Sequence, residues 1–244
     1  MPSYDYKQGK NRIETILDNY MVIEERNKVP SEGSFTFENG YISWVTAIFV
    51  DIRNSTEIFS SKNEEIAKMV RAFTSEIIEI LRNDDNYREI GIRGDCVYAI
   101  YTTPKKTDIY ECAQKCFYVN TFINMFNKLL IKRNIETIKV GIGMASDKEL
   151  VVKTGRKGVS INEKVWIGQA VSVASNLSSY GDKNNYKRIF FSKCSYNNIL
   201  EILSENNSGK NVESWFSYSY DCEAYNTGIV KTGFNDWIKN DFID

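Results

Sequence analysis

Apolar positions along the chain change period several times, and each change marks an element. Residues 10–19, KNRIETILDN, have the spacing of a short helix, and residues 26–40, RNKVPSEGSFTFENG, form a polar loop with one of the three prolines. Residues 1–43 therefore read as an N-terminal helix and arm ahead of a domain spanning 44–244. Residues 42–52, ISWVTAIFVDI, are rich in β-branched and aromatic side chains and predict a buried strand ending near Asp51. From Asn63 the residues Ile66, Met69, Val70, Phe73, Ile77, Ile80 and Leu81 recur three and four apart, the stripe of a long helix. YREIGIRGDCVYAIYTT then holds two β-rich runs around Gly94 and Asp95, the pattern of a hairpin.

A second long helix is expected from about 109 to 132. IKVGIGMASD predicts a strand, LVVKTGRKG a strand running into a basic glycine loop, and GQAVSVASNLSSYG a helix rich in small residues. KRIFFS reads as a strand and SYNNILEILSEN as a helix, while SWFSYSYDCEAY and GIVKTGFNDWI close the chain as aromatic strands. There is no internal repeat. Strand, helix, hairpin, helix, strand is the order of a ferredoxin-like βαββαβ core. The expected class is α+β, a mixed sheet with helices on one face and a C-terminal aromatic β extension.

Composition narrows the chemistry. With 31 basic and 32 acidic residues there is no general attraction to nucleic acid or an anionic membrane, so a phosphate site has to be local. The apolar runs are too short to span a membrane and the N-terminus lacks an apolar signal core, so the expected location is cytoplasmic. Five cysteines, an odd number without a CxxC pair, are expected as reduced thiols in the core. Histidine is absent altogether, which removes Ser-His-Asp hydrolysis, Cys-His chemistry and histidine-bearing zinc motifs. Carboxylates, hydroxyls, lysines and arginines remain, a set suited to hard cations and phosphate.

Asp51 ends the first core strand and Asp95 lies in the hairpin. In a ferredoxin-like sheet those strands pair centrally, which brings the carboxylates to one edge. There they repel unless a cation or proton lies between them. The competing reading is a turn or helix cap at each position. Asn54, Ser55 and Thr56 open the next helix, where free backbone N–H groups can bind a triphosphate.

The motifs FVDIRNST, RGDCVYAIY, KVGIGMASDKELVV and WIGQAVSVASNLSSYG, in this order over residues 44–200, resemble the catalytic domain of class III nucleotidyl cyclases. The resemblance implies a homodimer with active sites at the interface and two Mg²⁺ or Mn²⁺ ions per site. It places Asp51 and Asp95 as metal ligands, adds the Ile52 carbonyl, and gives Asn54, Ser55 and Thr56 to the phosphates. The purine-reading lysine of adenylate and guanylate cyclases falls on Gly91, and its partner falls on Val165. The asparagine and arginine of the transition state fall on Ser172 and Asn176. Neither Gly91 nor Val165 can make purine-edge hydrogen bonds. Arg93 is the candidate replacement cation, because its planar fork suits phosphate oxygens or a base carbonyl. Lys153, with Arg156 and Lys157, is a candidate to cover the triphosphate, with Lys231 and Arg188 as alternatives. Trp166 is a candidate to stack on the base, and interface packing is the plainer reading.

The lead-in FTFENGYISW and the ending YNTGIVKTGFNDWI extend the resemblance to the pyrimidine cyclases of bacterial anti-phage signalling, the Pycsar cyclases. These make cyclic UMP or cyclic CMP, which acts on a separate effector. Tyr41, in the lead-in, is a candidate base or ribose contact. Uracil offers O4 as an acceptor where cytosine offers a donor, and an arginine satisfies only the acceptor, so UTP is favoured over CTP. An inactive, nucleotide-binding sensor is the alternative that Ser172 and Asn176 leave open.

Overall fold

A computed structural model describes residues 4–158 and 160–243. Among these the strands are β1 (Val22–Glu25), β2 (Asn39–Ile52), β3 (Tyr87–Arg93), β4 (Cys96–Thr102), β5 (Val140–Gly155), β6 (Asn162–Ile167), β7 (Ile189–Phe191), β8 (Phe216–Ser219) and β9 (Ala224–Thr227). The helices are α1 (Tyr6–Leu17), α2 (Ser55–Ile58), α3 (Glu64–Arg82), α4 (Lys106–Ile131), α5 (Ala170–Ser178), α6 (Lys193–Asn206) and α7 (Thr232–Lys239). β2 is the axis, antiparallel to β4 on one side and to β5 on the other. The sheet runs β3-β4-β2-β5-β7-β9-β8, with β1 beside β2 and β6 beside the far half of β5.

Strand alternation sends successive side chains to opposite faces. Ile48, Val50 and Ile52 of β2, with Ile142 and Met144 of β5, face α3, α4 and α6 and build the larger core with Phe73, Ile77, Phe117, Ile123 and Ile199. Val45, Ala47 and Phe49 face the other way and meet Ala170 and Ala174 of α5. The α+β class and mixed sheet stand, but the helices occupy two faces because α5 takes the second one. Its small residues and two strand glycines allow a backbone-to-strand approach: a Cβ at Gly143 would lie 2.1 Å from the Ala174 carbonyl oxygen.

Four other expectations shift. The two strands expected over 138–158 are one continuous β5, and β6 returns antiparallel beyond the basic loop. Residues 232–239 are helical, not a strand, since Phe234, Trp237 and Ile238 recur at i, i+3 and i+4 and Phe234 packs on the larger core. α1 starts at Tyr6, earlier than expected, because the Asp5 carboxylate caps the N–H groups of Lys7 and Gln8 at 3.0 Å. The loop expected over 26–40 yields its last two residues to β2, whose pairing with β1 and β5 begins upstream of residue 44.

The helical layer on the larger core ends at buried hydroxyls, where Thr46 bonds Thr103 and Ser146, and Ser146 bonds Ser195. The opposite side of the far end curls inward, so that β6 reaches β3: Lys164 donates to the Arg88 carbonyl and Trp166 to Glu89. All five cysteines are free thiols, with Cys112 and Cys116 fully inside.

Candidate active site

Asp51, next to last in β2, pairs with Cys96 of β4 and Gly141 of β5. A two-residue turn joins β3 to β4. Gly94 takes φ 64 there, a left-handed conformation open to glycine without strain. This turn delivers Asp95 to the end of β2, with its carboxylate within hydrogen-bonding reach of Asp51. Burial, opposed by Arg53 and reinforced by Asp95, raises the Asp51 carboxyl to about 6.

Arg53 is a site residue that the sequence reading passed over. It sits in the turn just past β2, two residues after Asp51, is only 7% exposed, and ion-pairs with the Asp51 carboxylate. From its other nitrogen it donates to the Ser179 carbonyl at the end of α5, at 2.7 Å, while its Nε has no partner. Two carboxylates that already draw in one cation form an all-oxygen donor set when the neighbouring Ile52 carbonyl is added. The residues fit a hard divalent ion such as Mg²⁺ or Mn²⁺. Among the described residues no third acidic side chain joins them.

Asn54 follows β2 in a left-handed conformation, φ 55 and ψ 29, and stands at the N-cap position of α2 with no side-chain capping bond. The helix opened by Ser55 and Thr56 is thus one turn long, while the longer α3 has its own cap, Asn63, accepting from the Ile66 N–H at 2.9 Å. Asn54 and Thr56 are exposed and Ser55 half-buried, directly after the carboxylate strand. Arg93 is exposed and pairs with Cys96, which places it on the Asp51 side of the hairpin. The Cys96 thiol between them is pushed up to about 12, by burial first and then by the Asp51 charge.

The same hairpin register sets Gly91 opposite Tyr98, and Tyr98 opposite Phe49. A Cβ at Gly91 would sit 2.6 Å from the Tyr98 ring, and that ring stacks on Phe49 with centroids 5.3 Å apart. Glu89 then accepts from the Tyr98 hydroxyl and from the Trp166 indole N–H, each at 2.8 Å. Burial and Glu89 push the Tyr98 phenol up to about 12, which keeps it a donor. Trp166 joins this aromatic wall, roughly 13 Å along β3 from Arg93 at the usual strand rise. Tyr98 and Glu89 were missed, although counting outward from the two-residue turn pairs Gly91 with Tyr98.

Two expected contacts are not brought to the carboxylates. Tyr41 is buried ten residues up β2, donates to the Ser34 carbonyl at 3.1 Å, and packs edge-on against Phe35. Lys153 lies over the Phe37 ring at 5.7 Å, and Lys157 pairs with Glu38 at 3.0 Å, so the basic loop holds the lead-in segment instead. Arg188 is engaged by Asp182 and Asn120, and Lys231 by Gln114. Ser172 and Asn176 stand on the exposed side of α5. The start of that helix is fixed by fully buried Glu149, which accepts from the Ala170 N–H at 2.5 Å and leaves one oxygen without a partner. Burial pushes its carboxyl up, with Asp147 adding to the shift.

Comparison with known proteins shows the family and the fold of the chain. Residues 37–208 match the family described as the adenylate and guanylate cyclase catalytic domain. The chain is 50% identical over 242 residues to a uridylate cyclase from Treponema porcinum, covering 99% of this chain and 83% of the relative. It is 31% identical over 183 residues to a uridylate cyclase from Gulbenkiania mobilis, covering 72% and 71%. Among solved structures it is similar in fold to a class III adenylyl cyclase-like ATP-binding protein from Pseudomonas aeruginosa (TM-score 0.66, 16% identity, 96% of this chain and 48% of that one). The adenylyl cyclase CyaB from P. aeruginosa is similar as well (TM-score 0.58, 19% identity, 67% and 83%).

Proposed function

Because the chain belongs to the class III nucleotidyl cyclase family, whose catalytic-domain model matches residues 37–208, we propose that it is a uridylate cyclase. It closes UTP to 3′,5′-cyclic UMP and releases pyrophosphate. The observation that carries this reading is 50% identity over nearly the whole chain to the Treponema porcinum uridylate cyclase. In the structure the reading is supported by Gly91, the position where the purine-reading lysine is expected: the Tyr98 ring fills that space and narrows the wall toward a one-ring base.

Asp51, Asp95 and the Ile52 carbonyl would hold the divalent ions, two of Mg²⁺ or Mn²⁺ per site. When bound, such ions supply charge neutralisation at the α-phosphate and acidify the ribose 3′-hydroxyl. Arg53 keeps Asp51 oriented from behind, Asn54, Ser55 and Thr56 face the phosphates, and Arg93 offers its fork to phosphate oxygens or to uracil O4. Tyr98 and Trp166, fixed by Glu89, wall the base. The active form is a cytoplasmic homodimer with sites at its interface, and the product is a second messenger acting on a separate effector in anti-phage defence.

Incubating the protein with each of the four NTPs and Mn²⁺, and resolving products by mass, tests the reading. Cyclic UMP should dominate. Cyclic CMP as the main product overturns the choice of base, a purine product overturns the pyrimidine wall, and no cyclic product from any NTP leaves a nucleotide-binding sensor. Tyr98→Ala should raise ATP turnover relative to UTP.

A further inference from the structure

α1 precedes the family-matched span and joins none of the hydrophobic cores. Its only buried residue is Gly9, beneath Tyr4. Ile13, Ile16 and Leu17 are 57%, 71% and 77% exposed, and Tyr6 and Tyr20 are exposed with them. At about 100° per residue Tyr6, Ile13, Ile16 and Leu17 fall on one stripe, with Lys10, ion-paired to Glu14, at one border and Arg12 at the other, and Tyr20 follows past the end of the helix. A stripe of this kind, left in water on a well-capped helix, is built for a partner surface.

The same chain carries a sheet face with complementary features. Beyond the Thr46–Ser146–Ser195 hydroxyls, β1, β2, β5 and β6 run side by side, and among the described residues no helix lies over the face that continues the larger core. The pairing register puts Ile23, Gly40, Val152 and Val165 in one row of that face, and Glu25, Ile42, Leu150 and Ile167 in the next. Ile23, Val165 and Ile167 are 50%, 40% and 52% exposed, and Trp44 extends the patch. Its two edges are acidic, with Glu25 on β1 and exposed Glu163 on β6; Glu25 also pairs with Lys148 of the same face at 2.5 Å. A 12-residue helix is about 18 Å long, close to the roughly 20 Å length of the six-residue β6, so that laid along the strands it turns one flank to each edge of the face.

We propose that α1 docks on this sheet face of a second copy of the chain, each copy giving its helix to the other. Within one molecule the stripe of α1 and the flanking Ile23, Val165 and Ile167 of the face are exposed, so neither satisfies the other. A two-fold exchange buries both at once, closes the assembly, and sets Arg12 against Glu163 on the β6 edge. The proposal does not rest on the catalytic reading, because its readouts concern assembly alone.

Full-length chains carrying Ile16→Cys and Ile167→Cys on different tags, co-expressed and treated with a short bismaleimide, should give a cross-linked mixed dimer. Neither variant should cross-link alone. A doubly substituted chain that cross-links within a monomer overturns the exchange, as does a mixed dimer that fails to cross-link. Arg12→Glu should weaken dimerisation about fivefold by sedimentation, and Glu163→Lys should restore part of the loss. An unchanged dissociation constant overturns the proposal. So does α1-dependent flotation with phosphatidylserine vesicles at an unaltered dimer affinity, since that result assigns the stripe to a membrane.

Discussion

Asp51 and Arg53 are two residues apart where β2 passes into its turn, and each makes the other tolerable. A cation buried to 7% exposure with a free Nε is held by a carboxylate and by the carbonyl end of α5. Arg53→Met removes both contacts and leaves Asp51 beside Asp95 without a counter-charge. With Asp51 itself partly exposed, the loss should be about 2–3 kcal/mol, read as a Tm lower by roughly 5–10 °C. Asp95→Asn goes the other way. It relieves like-charge repulsion on Asp51 and should raise Tm by a few degrees in thermal melts while abolishing cyclic product. The pair of aspartates was legible in the sequence because each ends or turns a strand that had no other use for a charge. Arg53 and Glu89 were not, since their roles exist only through partners distant in sequence, Ser179 and Trp166, whereas the pairing of Tyr98 with Gly91 follows from the hairpin register.

α5 shows how an element can be recognised and yet misplaced. Its small residues mark a helix, but only the backbone contacts of Gly141 and Gly143 reveal that it lies on the face opposite α3 and α4. The 228–238 segment failed for another reason: aromatic residues suit strands and amphipathic helices alike, and the packing of Phe234 decides between them. Glu149 sets α5 at its first turn, and burial holds its proton in the native state at pH values where the unfolded chain, with an ordinary value of 4.5, has released it. The stability it contributes is therefore full below about 4.5 and declines as pH rises through the raised value. Glu149→Gln cannot ionise. Relative to that variant, wild-type Tm should fall by a few degrees between pH 4.5 and 7.5, and parallel curves would refute the assignment.

At the scale of the molecule, α5 turns Ser172 and Asn176 outward, while its last turn backs onto Arg53. If sites form between copies, activity depends on association, so specific activity should fall on dilution below the dimer dissociation constant and return with added inactive Asp51→Ala chain. The outline of sheet, hairpin and long helices could be read from periodicity; the uncovered sheet end and the free α1 could not, because exposure is a property of the assembled fold. One further consequence comes from sulfur. Burial raises every thiol of the chain, from Cys96 beside the carboxylates to Cys194 and Cys222 nearer the surface. Thiolate is the species that reacts with peroxide and electrophiles, so a chain holding so little of it at neutral pH should be poorly susceptible to oxidants. Cyclase activity should survive hydrogen peroxide or iodoacetamide treatment unchanged, so the chain would need no reducing surroundings to stay active.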